Sequence, residues 1–283
     1  MESAVILIQC PDQRGIIARL SEFVFRYNGN IIQADQYTTD PQNGRFFMRL
    51  EFTFDPAKVP PDHLEREFDI LAAGLGATWE IHYASTVMRM GILVSKLDHC
   101  LVDLLYLHRS GELRVDIPLV ASNHDAVRPL VEQAGIPFHH IPVTPDTKPE
   151  RESTLLELVR ETTDFLVLAR YMQILTAVFM EGYRGDIINI HHSFLPSFKG
   201  SDPYRRAYER GVKVIGATAH FVTVELDEGP IIEQVVERVS HRDNVDMLKR
   251  KGRNLEKLAL ANAIQAYVEH RIIRYENKTI VFV

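Results

Sequence analysis

Apolar positions fall into two rhythms along the chain. The runs 4-AVILIQ-9, 30-NIIQADQYT-38, 45-RFFMRLEFTF-54 and 78-TWEIHY-83 are short and rich in β-branched and aromatic residues, which predicts strands. After the first of them, Ile16, Leu20, Phe23, Val24 and Tyr27 recur at helical spacing and place one apolar face on a sheet. A second helix is predicted from about Pro61 to Leu75, and Asn43-Gly44 marks a hairpin between the second and third strands. The order βαββαβ is that of a ferredoxin-like domain, assigned to residues 1–85.

From Met88 the rhythm changes. Strand-like runs at 88-MRMGILVS-95, 116-DIPLVAS-122, 138-FHHIPV-143 and 164-DFLVLA-169 alternate with helix-like segments. That alternation builds βαβ units, so residues 86–283 are expected to form a Rossmann-like, mostly parallel α/β domain. No Gly/Ser linker marks the boundary; the change of rhythm near Ala84–Val87 does.

Composition narrows the function. A chain of 283 residues with 46% hydrophobic content and a net charge of −6, its charges interspersed, has no basic stripe to neutralise a phosphate backbone. Nucleic acid is therefore not an expected partner. Cys10 and Cys100 stand far apart outside any CxxC pattern, which predicts buried thiols and no disulfide framework. No signal-like segment and no apolar run of about 20 residues occurs, so a cytoplasmic enzyme without a membrane partner is expected.

Ligands of open parallel sheets bind beyond the carboxyl ends of the strands. Two such places carry polar chemistry. One is Asn189, His191, His192 and Ser193, after the apolar run 186-DIINI-190; the other is 216-GATAHFVTVELDEGPII-232, with His220, Glu225, Asp227 and Glu228. An amide, imidazoles and a carboxylate together polarise a carbonyl, stabilise its oxyanion and accept a proton. Taken singly, each histidine also has an ordinary structural reading, and Asp227 one as a turn residue before Gly229. No HExxH or other compact ligand pattern indicates a metal, and no GxSxG elbow indicates a serine hydrolase.

The run 189-NIHHSFLP-196, taken with 220-HFVTVELDEGPII-232, closely resembles the formyltetrahydrofolate-dependent formyltransferase fold. The resemblance implies a catalytic set of Asn189, His191 and Asp227, with His220 and Ser193 nearby. His220 either orients Asp227 or His191 or fills a strand position; Ser193 either bonds the carboxylate or caps the turn. The segment 167-VLARYMQIL-175 resembles the folate pocket of that fold, which implies Met172, Ile174 and Leu175 as substrate contacts. Lys199 meets either solvent or the glutamate tail of a folate. The stretch 10-CPDQRGIIARLSEFVFRYNGNI-31 resembles an ACT domain, a module that often binds amino acids at subunit interfaces. Asp12, Gly15 and Asn30 are its candidate ligand residues, because Gly15 opens a helix whose N–H groups can meet a carboxylate. An ordinary strand-to-helix turn is the other reading.

One departure is informative. Glycinamide ribonucleotide formyltransferases carry a glycine-rich loop after the first strand of this fold, suited to a substrate phosphate; here the stretch 93-LVSKLDHCLVDLL-105 has no glycine. Water is what remains to accept the formyl group. An ACT domain ahead of a formyltransferase-like domain, the doubled His191-His192 and the Cys100 segment all resemble the formyltetrahydrofolate deformylase family. The resemblance implies hydrolysis of 10-formyltetrahydrofolate to tetrahydrofolate and formate, with formate feeding purine synthesis. In that reaction Asp227 is expected to take the water's proton, its pKa raised by burial. It implies no metal or redox cofactor, an amino-acid effector at the ACT domain, and a homo-oligomer. The rivals are a formyltransferase with another amine acceptor and a non-catalytic sensor of folate and amino acid.

Overall fold

The protein is described by a computed structural model that covers all residues except 41, 42 and 198–202; Lys199 therefore lies outside the described residues. Contacts divide the chain into two compact units: Met1–Val87 together with Glu269–Val283, and Met88–Val268.

In the first unit the elements are β1 (Glu2–Pro11), α1 (Ile16–Arg26), β2 (Asn30–Thr38), β3 (Arg45–Phe54), α2 (Pro61–Leu75) and β4 (Thr78–Tyr83). They follow the predicted order, with the strands arranged β2-β3-β1-β4 and every neighbour antiparallel. Strand alternation sends Ile6 and Ile8 of β1 towards the helices, where they meet Leu20 and Phe23 of α1 and Leu64 and Phe68 of α2. Each such side chain, fully buried, contributes about 1.5–3 kcal/mol. Alternation also leaves Leu7 and Phe47 on the opposite face. A hairpin of Ile272–Tyr275 and Lys278–Val281 covers them with Ile273, Tyr275, Ile280 and Phe282. Arg49, 5% exposed, secures the approach to that hairpin by donating to the carbonyls of Glu269 and His270 at 3.3 and 3.1 Å. Residues 269–283, expected with the larger domain, therefore belong to the first unit. A two-sided apolar sheet needs a second cover, and the chain end supplies it.

The second unit holds β5 (Arg89–Val94), α3 (His99–Ser110), β6 (Asp116–Ser122), α4 (Arg128–Gln133), β7 (Phe138–His140), α5 (Lys148–Val159) and β8 (Phe165–Ala169). It continues through α6 (Ala177–Gly182), β9 (Asp186–His191), α7 (Pro203–Arg210), β10 (Val214–Phe221), β11 (Ile231–Arg238) and α8 (Val245–Val268). Its seven strands lie in the order β11-β10-β9-β8-β5-β6-β7. Neighbours from β9 to β7 are parallel, while β10 and β11 run antiparallel, so the sheet is mostly parallel as the alternating pattern predicts. Strands β5 and β8 lie in the middle of the sheet and are apolar on both faces, because helices cover them on either side. Both cysteines are buried and free. Among the described residues no helix is long and apolar enough to cross a membrane.

Candidate active site

Strand β9 delivers the first two residues. Its period of two turns Ile188 and Ile190 to one face and Asn189 and His191 to the other. On β10, His220 lies directly across from Asn189, and Thr218 across from His191, so the four share a face. Beyond β9 the chain turns at Ser193–Leu195, held by Thr218, whose Oγ1 donates to the Ser193 carbonyl at 2.9 Å and accepts from Leu195 N at 3.0 Å. Gln234 Nε2 adds bonds to the Leu195 carbonyl and to Thr218 Oγ1, each 3.0 Å. Ser193 Oγ donates to the Ser197 carbonyl at 2.9 Å, which makes it a turn cap and not a partner of the carboxylate.

Asp227 arrives on the loop after β10. It stands in the left-handed region at φ 57, and the loop is closed tightly behind it: a Cβ on Gly229 would lie 1.8 Å from the Phe221 carbonyl oxygen. Glycine is therefore required there. The loop brings Asp227 Oδ1 to 3.2 Å from His191 Nδ1. A carboxylate oxygen accepts, so Nδ1 carries the hydrogen. Burial pushes the Asp227 carboxyl up, but the His191 bond and the neighbouring imidazoles hold it below the usual carboxylate value. The expectation of a raised pKa is thus corrected, because burial does not act alone on this group.

The tautomer of His220 follows from its partners. Its Nδ1 lies 2.9 Å from the Phe221 carbonyl, which can only accept, so that nitrogen is protonated. Burial lowers the pKa of this ring, 2% exposed, and keeps it neutral; Nε2 is then an acceptor. Asn189 lies 3.1 Å from Nε2 and must present its Nδ2 there, leaving its second N–H for a ligand. His220 therefore orients Asn189. It stands 3.8 Å from Asp227 Oδ1, too far for a hydrogen bond to that carboxylate, one of the two groups it was expected to orient. His191 Nε2 is buried and has no hydrogen-bond partner among the described residues.

Strands β8 and β9 pair with Leu168 opposite Asn189, so the segment leaving β8 runs beside the amide. Along it Met172 and Ile174 are exposed at 61% and 58%, and Leu175 packs onto the core, which makes an open apolar wall next to the polar cluster. Beneath the site is a buried polar group that no sequence motif announced. Glu256 of α8, 2% exposed, takes His99 Nε2 at 2.8 Å, Tyr204 Oη at 2.7 Å and Arg170 Nε at 3.4 Å. Its signal was a carboxylate in the apolar stripe Leu248, Leu255, Ala259, Leu260. His192 points to this side; burial and the Arg170 guanidinium lower its pKa to about 4. Among the described residues, His99, Cys100 and Glu256 form the group with metal-ligand geometry.

In the first unit, a cavity of about 240 Å³ is lined by Asp12, Gln13, Gly15, Ala18, Gln36 and Thr38, among others. Two candidate regulatory residues, Asp12 and Gly15, are on it, and Asn30 is not. Thr38 pairs with Phe46 at the cavity end of β2, whereas Asn30 pairs with Thr53 at the other end, eight extended residues or about 26 Å away. Adjacency to the helix in sequence did not reveal which end of β2 faces Gly15.

Residues 88–264 match the formyl transferase family and residues 4–69 the ACT domain family. A formyltetrahydrofolate deformylase of Synechocystis sp. is 50% identical over 99% of this chain and 98% of its own length. That of Bacillus subtilis is 50% identical over 98% of this chain and 93% of its own. The crystal structure of a formyltetrahydrofolate deformylase from Pseudomonas syringae pv. tomato superposes with a TM-score of 0.94 at 43% identity, covering all of this chain and 95% of that one.

Proposed function

Because the chain belongs to the formyltetrahydrofolate deformylase family, we propose that it hydrolyses 10-formyltetrahydrofolate to tetrahydrofolate and formate. The observation that carries the mechanism is the pairing of Asn189 with His220 across adjacent strands and of His191 with Asp227 on the loop that follows them. The free N–H of Asn189 faces the formyl oxygen as negative charge grows on it. His191, held by Asp227 through Nδ1, offers Nε2 to the attacking water. As the water oxygen bonds to the formyl carbon, Nε2 takes its proton and the ionised Asp227 stabilises the imidazolium. The C–N bond then breaks, the imidazolium returns that proton to the departing folate nitrogen, and the formic acid released gives up its remaining proton to solvent as formate. Asp227 is thus an orienting carboxylate, a role that suits a depressed pKa better than the base first expected of it. No step asks for a metal or a redox cofactor.

Met172, Ile174 and Leu175 line the folate side in this reading, and Ser193 shapes the turn beside it. The cavity at Asp12 and Gly15 takes an amino acid whose carboxylate meets the N-terminal N–H groups of α1. Edge strands β2 and β4 of the ACT sheet offer surfaces for a homo-oligomer in the cytoplasm. Formate release feeds purine synthesis and restores free tetrahydrofolate, which gives an amino-acid signal something to regulate.

The test is to supply 10-formyltetrahydrofolate without any amine acceptor and follow tetrahydrofolate and formate together. Equal release of both, abolished by Asp227→Asn, is expected. Release only after an amine is added would make the protein a transferase; folate binding with no turnover under either condition would make it a sensor.

A further inference from the structure

Arg170 directly follows β8 with φ 64°, a left-handed conformation that L side chains other than Asn and Asp seldom adopt, and it precedes the segment 171–175 that carries Met172, Ile174 and Leu175. Its backbone is tied on one side: Ser95 N donates to the Arg170 carbonyl at 3.3 Å, and Met172 N donates to Ser95 Oγ at 2.9 Å. Its side chain is tied on the other. The guanidinium, 10% exposed, stands in ion-pair range of Glu256 Oε2 at 3.4 Å, a charge contact without a hydrogen bond at Nε, while the same carboxylate takes hydrogen bonds from His99 and Tyr204. The surroundings are shaped for that carboxylate. One turn before it in α8 stands Gly252, where a Cβ would fall 2.0 Å from the Tyr204 hydroxyl oxygen, so a helix-weakening glycine is what lets Tyr204 reach Glu256. A metal at His99, Cys100 and Glu256 is the competing reading. Both Glu256 oxygens already accept hydrogen bonds, and the Arg170 guanidinium supplies the positive charge a cation would bring.

We propose that Glu256, acting through Arg170, is a positioning residue that fixes the course of the folate-side wall. The ion pair holds Arg170 in the left-handed region, and the backbone turn made there presents Met172 and Ile174 to the ligand. This rests on the reading of that wall as the folate contact.

The experiment compares Arg170→Ala with Arg170→Gly. Both delete the guanidinium and leave Glu256 equally short of its cation, but only glycine takes a positive φ freely. Affinity for tetrahydrofolate, measured by equilibrium dialysis, and KM for 10-formyltetrahydrofolate are read beside kcat. Arg170→Ala is expected to bind about fivefold to thirtyfold more weakly than Arg170→Gly, with kcat little changed, from the left-handed penalty of a Cβ. Glu256→Gln should raise KM in the natural background and add nothing to Arg170→Gly. Equal weakening in the alanine and glycine variants, or a fall in kcat at unchanged KM, overturns the proposal. Thermal melts accompany each variant. An alanine variant that fails to fold beside a folded glycine variant supports it, and failure of both overturns it. The unaltered protein reports on the functional reading separately: if it releases no formate, that reading fails, whereas tetrahydrofolate affinity still separates the two Arg170 variants.

Discussion

Replacing His220 by Phe tests the site's logic most sharply, because it removes both hydrogen bonds of the imidazole while keeping a planar ring in its place. In the structure His220 Nε2 accepts from Asn189 at 3.1 Å, and its Nδ1 donates to the Phe221 carbonyl at 2.9 Å. Losing the first bond frees the Asn189 amide to rotate. A net hydrogen bond is worth about 1–1.5 kcal/mol, so kcat/KM should fall about tenfold. Asn189→Ala removes the oxyanion donor itself, which costs about 2.7–4 kcal/mol, a hundredfold to a thousandfold loss. The double variant is decisive. If His220 works only by aiming Asn189, then once Asn189 is gone there is nothing left to aim, and the pair should be no slower than Asn189→Ala alone. Formate release under saturating and limiting substrate measures all four forms. Stability should fall as well, by about 1–3 kcal/mol, because the Phe221 carbonyl is left unpaired in the interior. If His220→Phe costs the same factor with or without Asn189, the orientation argument is refuted, and the 3.8 Å contact to Asp227 becomes the place to look.

Three further outcomes follow from separate parts of the molecule. Gly229→Ala forces a Cβ against the Phe221 carbonyl oxygen at 1.8 Å, so hydrolysis should be lost through displacement of Asp227; normal kcat in that variant would show that the loop gives way without moving the carboxylate. His270 stacks on His82 with ring centroids 3.7 Å apart, and burial, with His82 and Arg49, pushes its pKa down to about 3. The folded ring stays neutral while the unfolded one protonates from about pH 6.5 downward, so stability falls with acid at about 1.4 kcal/mol per pH unit, or about 2 kcal/mol by pH 5. His270→Phe should flatten that decline in urea melts at pH 7 and pH 5, and an unchanged decline would place the acid sensitivity elsewhere. Ala18→Trp should fill the 240 Å³ cavity at the start of α1. An amino acid that raises the melting temperature of the natural chain should then lose its effect, and a shift that survives would put the effector outside this cavity.

The parts legible in the sequence are those whose signal is local. The faces of α1 and α2 are written in residues three and four apart, and the buried strands of the parallel sheet in unbroken apolar runs, so element order and class follow from the chain alone. Asn189 and His191 are legible for the same reason, since a period of two puts them on one face of any strand that contains them. What depends on pairing between distant segments is not. The register that sets His220 opposite Asn189, the end of β2 that meets Gly15 and the destination of the last hairpin are fixed by contacts many residues apart.

Asp227 shows how this bears on chemistry. Burial alone raises a carboxyl's pKa, and from the sequence burial was the influence open to view; the proton on His191 Nδ1, 3.2 Å away in space, reverses the sign. In the proposed hydrolysis the base is accordingly the imidazole that Asp227 holds, and Asp227 orients it. Glu256 extends the argument. In the helical pattern of α8 it reads as a charged interruption of an apolar stripe, and it makes sense only once Tyr204, His99 and Arg170 arrive from three other segments. A buried carboxylate is stable only with its partners, so removing one of them should cost more than the bond it makes. A carboxylate with three converging partners in an apolar stripe is therefore a residue whose role lies in what it holds in place, and here that is the turn from which the folate wall departs.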